Sequence, residues 1–393
     1  MRNVSDKAPP HEALTVVVAA MIVGTAALMV LGIQPILLGA LVEEGRIPAE
    51  GLGSAATVEI LAIAAGTCIG PVLMKTGYLR AKCAALCLML AAINFGLTLP
   101  GFDLPIVACR AAAGALEGLS LSAAILIMTH NRRPDRLSGI FLGAQTIPQV
   151  ISAYLLPTEI IPRWGSAGGF TILGILAAIA AIAALCLVDR VELDPTTVND
   201  DLQWSPAAIV ISMAAFVQFS GVGAAWSYLE RLAAQHGFSG ETIGIAISGS
   251  LLCQVGGAWL AAWIGGRVGY RFALIAGSLL QAGNVIALAV ADQPSWFISA
   301  SCAFGLFWLA MQPFQIRFAI AIDNSRQLAV LLTPIALVGL SAGPLLLSRF
   351  AGATDLRWIF VGSSTLLLAS ALLYLCASLF QPRGKVIAET VDV

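Results

Sequence analysis

The tetrapeptide Lys75-Thr76-Gly77-Tyr78 returns as Arg267-Val268-Gly269-Tyr270, 192 residues further along the chain. Each copy lies in a short hydrophilic gap between two long apolar runs. Further matches at nearly the same offset are Glu50-x-x-Gly53 with Glu241-x-x-Gly244, Gly114 with Gly305, and Asn94 with Asn284. A constant offset of about half the chain predicts that the protein consists of two similar halves.

The composition places the chain in a lipid bilayer. Of its 393 residues, 11% are charged and 59% are hydrophobic, and the mean hydropathy is +0.89. A soluble chain carries roughly a quarter charged residues, so this one lacks the polar groups needed to cover its apolar surface. The net charge of -1 gives no indication of nucleic-acid binding.

Neither a metal site nor a catalytic site is indicated. The eight cysteines all fall in apolar runs or at their edges, which is typical of small apolar residues in helices and not of disulfides. The histidines His11, His130 and His236 all lie outside the apolar runs. The sequence has no Gly-x-x-x-x-Gly-Lys loop, which argues against ATP as an energy source. We therefore expect a protein that is not an enzyme and that holds no cofactor or metal.

Twelve apolar runs are long enough to cross the hydrocarbon core, which takes roughly 20 residues. They lie near residues 13–41, 51–73, 82–100, 104–129, 138–157 and 168–188, and near 206–229, 241–264, 272–291, 295–322, 328–348 and 357–380. The predicted organisation is a tail at 1–12, a six-helix half at 13–188, a linker at 189–205, a second six-helix half at 206–380 and a tail at 381–393.

The distribution of Lys and Arg predicts the orientation. If both termini share one side of the membrane, that side carries most of the loop cations. The other side carries only Arg46, Arg163, Arg231, Arg349 and Arg357. Because cytoplasmic loops are enriched in Lys and Arg, we expect both termini and the linker between the halves to lie in the cytoplasm.

Two motifs make the chain resemble the major facilitator superfamily. The family's loop signature, Gly-x-x-x-Asp-Arg/Lys-x-Gly-Arg/Lys-Arg/Lys, has counterparts in Gly70-x-x-x-Met74-Lys75-x-Gly77-Tyr78 and Gly266-Arg267-x-Gly269-Tyr270-Arg271. The family's span-four signature, Arg-x-x-x-Gly, is present as Arg110-x-x-x-Gly114. The Asp of the loop signature is missing from both copies, so a latch built on it is absent or is rebuilt from other residues.

The resemblance covers nearly the whole chain and implies an all-α membrane protein with the major-facilitator fold, in which twelve transmembrane helices form two pseudo-symmetric six-helix halves. It implies a monomeric secondary transporter in the plasma (inner) membrane that works by alternating access. It also implies that Lys75, Gly77, Arg267 and Gly269 belong to gating loops on the cytoplasmic side.

Apart from the residues that begin a run, four charged residues lie within the apolar runs: Glu59, Arg110, Glu117 and Arg317. A charge in the bilayer centre costs several kcal/mol unless it is paired or hydrated. Arg110, Gly114 and Glu117 share one stripe of span four, and Glu59 lies at a similar depth in span two. Arg317 lies near the end of span ten, and we interpret it as a cation that extends to the membrane surface.

Two interpretations of Glu59 and Arg110 remain open. Either they form a fixed structural ion pair, or Arg110 binds an anionic solute and controls a carboxyl that takes up and releases a proton. Burial favours the neutral form of a carboxyl, and a nearby guanidinium favours its ionised form. Movement of Arg110 toward a bound anion would therefore promote protonation. We predict Glu117 as the proton-coupling residue, with Glu59 as the second candidate.

Uncharged polar and aromatic residues mark the rest of a candidate cavity. In the superfamily, spans one, four, seven and ten line the central cavity, with spans two, five, eight and eleven beside them. Carried onto this chain, the substrate-binding set is Arg110, Gln34, Gln145, Gln149, Trp226, Trp308, Gln312 and Gln315. For the aromatic members, the alternative is ordinary packing between helices.

These residues favour proton-coupled uptake of a small, partly apolar organic anion. Proton-driven efflux of an amphipathic compound or drug is the alternative, because the same span-four signature occurs in exporters of the superfamily. A non-transporting membrane sensor is disfavoured, since the sequence shows no soluble effector domain beyond its short tails. The expected partners are the solute, protons and the lipid bilayer.

Overall fold

The computed structural model describes residues 13–74, 76–101, 104–129, 131, 134–190, 204–264, 267–323, 327–350 and 355–380. Within these ranges the chain is built of helices and contains no strand. The predicted tails at 1–12 and 381–393, most of the predicted linker (191–203), and Lys75 lie outside the described residues.

The first half contains six long helices. They are α1 (Leu14–Glu43), α2 (Gly51–Met74), α3 (Leu79–Gly96), α4 (Ile106–Thr129), α5 (Pro134–Leu155) and α6 (Ile161–Ala184), with one π-helical turn at Leu156–Ile160 between the last two.

The second half repeats this arrangement with two extra breaks. Its helices are α7 (Pro206–Ser227), α8 (Leu229–Gln235), α9 (Gly240–Ile264), α10 (Tyr270–Ala289), α11 (Pro294–Ala310), α12 (Gln312–Ile322), α13 (Gln327–Leu347) and α14 (Arg357–Leu379). Ser205 begins the half by accepting a hydrogen bond from the Ala208 amide at 3.1 Å, and Pro206 occupies the first helical position. Pro313 lies in the first turn of α12 and accounts for the break in span ten, because it cannot donate a backbone hydrogen bond.

Eleven helical segments of the described chain are long and apolar enough to cross a membrane, and one of them holds two crossings. This segment, Gly139–Ala184, is 46 residues long and includes most of α5, the π-helical turn and all of α6. It is interrupted at Gly165, whose φ of 59° lies in the region that favours glycine. The next residue, Ser166, donates its amide to Glu44 Oε1 at 2.5 Å, which caps the second crossing. The described part of the chain therefore contains twelve helical stretches that correspond to the twelve predicted crossings.

The internal repeat corresponds to matching helix contacts in the two halves. In the first half, α2 and α4 lie so close that a side chain at Gly114 would collide with the Glu59 carbonyl. In the second half, α9 and α11 meet in the same way at Gly305 and the Ser250 carbonyl. Both members of this second contact lie 191 residues beyond those of the first. A second pair of contacts has the same offset: Gly66 with the Ala115 carbonyl, and Gly257 with the Leu306 carbonyl.

Alanine at Gly114 or Gly305 is therefore expected to destabilise the protein. The added methyl group meets backbone that cannot rotate away, and overpacking of this kind costs about 1–3 kcal/mol. Thermal unfolding in detergent should show a lower Tm for both variants. Gly143→Ala and Gly283→Ala are matched controls in the two halves, because nothing lies within 4 Å of a Cβ at either position. An equal fall in Tm in variant and control would contradict the close approach of the paired helices.

The two halves meet at one end of the bundle, which we call the contact end. There α2 packs on α13, with Gly53 against the Pro344 carbonyl. The pseudo-symmetric contact joins α9 to α5, with Gly244 against the Tyr154 carbonyl. These are the glycines of the repeated Glu-x-x-Gly motifs, so the repeat also marks the seam between the halves.

The loop motifs lie at the opposite end, which we call the motif end. Both α2 and α9 begin at the contact end and extend 24 and 25 residues away from it. Their far ends lead into the loops that contain Gly77 and Gly269, so both loops lie at the same end, as the repeat predicts. Hydrogen bonds that join the halves, such as that from Thr57 Oγ1 to the Ser341 carbonyl at 2.6 Å, lie toward the contact end.

Exposed tryptophans form a group near each end of the bundle. Trp164, Trp296 and Trp358 lie at the contact end, and Trp204, Trp259 and Trp263 lie toward the motif end. Between them the outer surface carries exposed Leu, Ile and Val side chains. Aromatic belts at two interfaces with an apolar band between them are typical of a membrane-spanning surface.

Candidate functional site

The most polar buried group in the first half is centred on Arg110 of α4. Its Nη2 forms an ion pair with Glu59 Oε1 of α2, and its Nη1 donates to Asn94 Oδ1 of α3 at 3.1 Å. The guanidinium also lies over the Phe170 ring of α6, 5.6 Å from the ring centroid. Arg110 is only 2% exposed. Four helices of one half thus hold this cation in place.

Glu117 adds a second carboxylate to the same group. Its Oε1 lies 3.8 Å from Arg110 Nη2, and its Oε2 is buried without a hydrogen-bond partner. With both carboxyls ionised, the group would hold two negative charges and one positive charge away from water. An uncompensated buried charge is strongly unfavourable, so the group is most stable with one proton. Of the two carboxyls, Glu59 makes the closer contact with Arg110.

The local sequence explains why these helices come together. Small residues one turn apart, Gly114 and Gly118, bring α4 against the carbonyls of Glu59 and Ile63 on α2. The short distance between these backbones lets the side chains of Arg110 and Glu59 meet although neither helix is interrupted.

The sequence predicted part of this group. The shared stripe of Arg110 and Glu117 and the similar depth of Glu59 agree with the observed contacts. Asn94 and Phe170 were missing from the predicted site. Asn94 did carry a signal, because it is a polar residue in an apolar run and belongs to the internal repeat. Phe170 carried none, since an aromatic residue in a membrane helix ordinarily faces lipid or packs.

A small cavity borders the Arg110 group, and all of its lining residues belong to the first half. It is lined by Val30, Gln34, Leu37, Leu38 and Leu41 of α1, together with Glu59, Arg110 and Phe170. Gln34 is buried, and its Nε2 has no hydrogen-bond partner. Its Oε1 accepts a hydrogen bond from Ser227 Oγ of the second half at 3.5 Å. Gln34 thus lines the same cavity as Glu59 and Arg110 and also contacts the other half.

Three other predicted residues gather around the middle of α1. Trp226 Nε1 donates to the Leu31 carbonyl at 2.9 Å, and its ring stands edge-on to Trp308 with centroids 5.5 Å apart. Gln149 Nε2 donates to the Leu28 carbonyl at 2.7 Å. Trp226 is buried and Trp308 is half-buried. Polar and aromatic groups from α1, α5, α7 and α11 therefore converge near the centre of the bundle.

Gln315 lies in a different environment from the rest of the predicted set. It is buried inside the second half and donates to Gln218 Oε1 and to the Tyr374 hydroxyl, both at 2.8 Å. Tyr374 in turn donates to Gln218 Oε1 at 2.7 Å, and Gln218 Nε2 lies 3.3 Å from Gln281 Oε1. Gln218, Gln281 and Tyr374 were not predicted. They are polar residues in three separate apolar runs, but nothing in their spacing links them.

The remaining predicted residues are less enclosed. Gln145 and Gln312 are both half-buried, and Gln145 Oε1 has no hydrogen-bond partner. Their role in substrate binding stays a prediction. Within the described ranges, no three His, Cys, Asp or Glu side chains come together in a way that could hold a metal.

At the motif end, the loop of the first half is attached to the end of α6. Gly77 has a φ of 85°, and a side chain there would meet the Arg190 guanidinium. Arg80 donates to the Leu187 carbonyl at 2.8 Å and lies 4.0 Å from Asp189. Asp189 thus supplies an acidic partner to Arg80, next to a loop that lacks the Asp of the superfamily signature.

The loop of the second half has a different partner. Arg267 lies over the Trp263 ring, 4.8 Å from its centroid, and Gly269 immediately precedes α10. Arg267 therefore rests on a side chain of its own half. The gating role of the two loops stays a prediction.

Comparison with known proteins adds the fold class. No protein-family model and no curated protein sequence matches the chain. Among solved structures, it is similar to a bacterial homologue of the human lysosomal transporter Spinster in an inward-facing, unoccupied conformation. The sequences are 16% identical, the match covers 95% of this chain and 98% of that one, and the TM-score is 0.74. The occupied, inward-facing structure of that homologue gives a TM-score of 0.73 at the same identity and coverage.

A mutant of the nucleoside transporter NupG is similar to the same degree. It is 11% identical, the match covers 93% of this chain and all of that one, and the TM-score is 0.74. These neighbours are transporters and not enzymes. The chain has the major facilitator fold, and at such low identities the likeness establishes the fold alone.

Proposed function

We propose that this protein is a secondary transporter that couples the movement of a small organic solute to protons. The observation that carries the proposal is the buried group of Arg110, Glu59 and Glu117. It holds one more carboxyl than cations, so a proton completes its charge balance. A group of this kind is costly inside a membrane protein and is typical of ion and proton pathways.

The arrangement of the halves supports alternating access. The halves are closed together at the contact end, and each half is held by its own backbone contacts, as at Gly114 and Gly305. Rocking of the two halves would open the contact end and close the motif end. With the motif end in the cytoplasm, as the loop charges predict, the present conformation is inward-facing, as are the two Spinster homologue structures.

The proton and the solute would act on the same cation. When Glu117 is protonated, Arg110 is paired with Glu59 alone. When Glu117 loses its proton, two carboxylates share the guanidinium. An anionic group of the solute could replace a carboxylate only if that carboxyl takes up the proton. Proton binding and anion binding at Arg110 would therefore be linked. The contact of Gln34, which lines the same cavity, with Ser227 of the second half supports a role for the seam in this exchange.

We further propose that the solute is a partly apolar anion and that transport is uptake into the cell by a monomer in the plasma membrane. Trp226 and Trp308 offer aromatic surface near the centre of the bundle, and Arg110 offers the positive charge. Efflux of an amphipathic compound remains the second candidate, because the half-exposed Trp308 would serve an apolar solute equally well.

Reconstituted vesicles separate these candidates. A thermal-shift screen of organic acids on the purified protein identifies a solute that binds. Counterflow of that solute is then measured with and without a pH gradient. Proton-coupled uptake predicts accumulation on the side opposite the acid compartment, whereas proton-driven efflux predicts accumulation in the acid compartment. Counterflow that is indifferent to the gradient would contradict proton coupling, and no counterflow with any solute that binds would contradict transport.

A further inference from the structure

A further buried carboxyl lies outside the group around Arg110. Glu230, in the short helix α8 at the contact end, is 6% exposed, and its Oε2 is buried without a hydrogen-bond partner. The carboxyl fills the space above Gly39 of α1, where a Cβ would collide with it. Gly39 and Glu230 are 191 residues apart, so the two positions are equivalent in the two halves. The missing side chain on one half makes room for the carboxyl of the other.

The surroundings of Glu230 provide little compensation for its charge. Glu43 of α1 and Arg231 of α8 face it, but they pair with each other at 3.3 Å and are partly exposed. The neighbouring elements add three titratable groups. Tyr228 ends α7 and directs its hydroxyl toward Gly53, His236 closes α8, and Glu241 is exposed at the start of α9. Burial, opposed by Arg231 and reinforced by Glu43, raises the pKa of Glu230 from 4.5 to about 8.

The burial of Glu230 depends on the contact between the halves. Arg110 is surrounded by residues of its own half and would keep them if the halves separated. Glu230 is covered by α1 of the other half, so opening of the contact end would expose it to water. Its affinity for a proton is therefore high in the closed arrangement and ordinary in the open one.

We propose that Glu230 is a second proton-binding site, which holds the contact end closed when it is protonated and favours opening when it is ionised. The proposal rests on the two-half motion of the proposed function but not on the solute or on Arg110. Below a pH of about 4.5 the carboxyl is neutral in both arrangements, and burying it carries no ionic penalty. Above about 8 it is ionised in both, and closing buries a charge. Acidification through this window therefore favours closure.

The predicted orientation indicates from which side of the membrane pH would act on Glu230. If the contact end faces the outside, an acidic exterior would drive the protein into the conformation open to the cytoplasm. This is the step that an uptake carrier needs after it has bound its solute outside. The proton on Glu230 stays in the seam and is not delivered inward, so it regulates the cycle without being transported.

The test measures the opening of the contact end directly and without solute. Spin labels are attached through a keto amino acid at Glu50 and Gln293, which are exposed on opposite halves at this end, and the native cysteines stay unchanged. Distances are measured in lipid nanodiscs in a Glu117→Gln background, so that the proton of the Arg110 group does not contribute. The ratio of short to long distances should rise at least about tenfold from about pH 8.5 to about pH 5.5.

Three variants decide the assignment. Glu230→Gln, or Glu230→Ala if the first folds poorly, should stay closed at every pH. Gly39→Ala should favour the open arrangement, because the methyl group occupies the space of the carboxyl. Glu43→Gln, which removes a neighbouring exposed charge, should keep the pH response. A distance ratio that ignores pH in the parent protein, or a response that survives unchanged without Glu230, would overturn the proposal. Because no transport is measured, failure of the proposed solute transport or of its coupling at Arg110 would leave this result intact.

Discussion

Glu117→Gln is expected to abolish uphill accumulation of solute while exchange of solute for solute continues. Glutamine has the shape of a protonated glutamate but cannot release a proton. The carrier would therefore remain in the state in which Arg110 is paired with Glu59 alone, and solute could still cross in both directions. Accumulation driven by a pH gradient and exchange without one are measured in the same vesicles.

Glu59→Gln is the matched comparison for this prediction. It removes the carboxylate that is closer to Arg110 and leaves Glu117 as the partner of the cation. We expect a smaller loss of accumulation, because the remaining pair still has a carboxyl that can titrate. If Glu59→Gln loses accumulation and Glu117→Gln does not, the proton site belongs on α2. Full accumulation by both single variants would show that neither carboxyl alone is required and would indicate a uniporter.

Arg110→Ala is expected to remove transport and to lower stability together. It leaves two carboxyls buried without their cation, and removing one partner of a buried ion pair costs about 3–5 kcal/mol. Arg110→Lys keeps the charge but loses the planar fork that contacts Glu59 and Asn94 at once, so solute binding should weaken at least about tenfold. Thermal unfolding and solute affinity are measured on each variant.

A double variant separates the structural role of Arg110 from the functional one. Arg110→Ala combined with Glu59→Ala removes the cation and its closest anion together. We expect it to recover most of the lost stability and none of the transport. Unchanged solute affinity in Arg110→Ala would instead leave the fixed structural ion pair as the better account of this residue.

Much of the fold could be predicted from the sequence, because few backbone structures are stable in lipid. A chain that crosses the hydrocarbon core must satisfy its hydrogen bonds within each segment, so apolar runs of sufficient length become helices. The constant offset between Gly114 and Gly305 then indicated two halves, and the same two glycines make equivalent contacts in the structure. The break at Gly165 lies in the gap that the sequence predicted between the runs at 138–157 and 168–188, although helical residues continue on both sides of it.

The candidate site was harder to predict than the fold. In a soluble helix the apolar face identifies the core, but these helices are apolar on all sides, and their rotation leaves little trace in the sequence. For Arg110 and Glu117 the charge indicated that the side chain faces the protein interior, since neither can face lipid. Gln315 and Gln34 are uncharged, so the sequence did not distinguish them. Gln315 bonds to Tyr374 inside its own half, whereas Gln34 lies at the seam. The amide and aromatic members of the site depend on helix rotation and required the structure.

The backbone-to-backbone packing of α2 on α4 and of α9 on α11 has a mechanical consequence. Where no side chain separates two helices, no rotamer change can absorb a displacement, so each pair behaves as one stiff rod. Movement of one half relative to the other must then occur at the seam. The resulting shift grows with distance along the rod. A helix the length of α2, at 24 residues, is roughly 36 Å long. A tilt of about 10° at the contact end would therefore move the motif end by roughly 6 Å, wide enough to admit a small organic molecule.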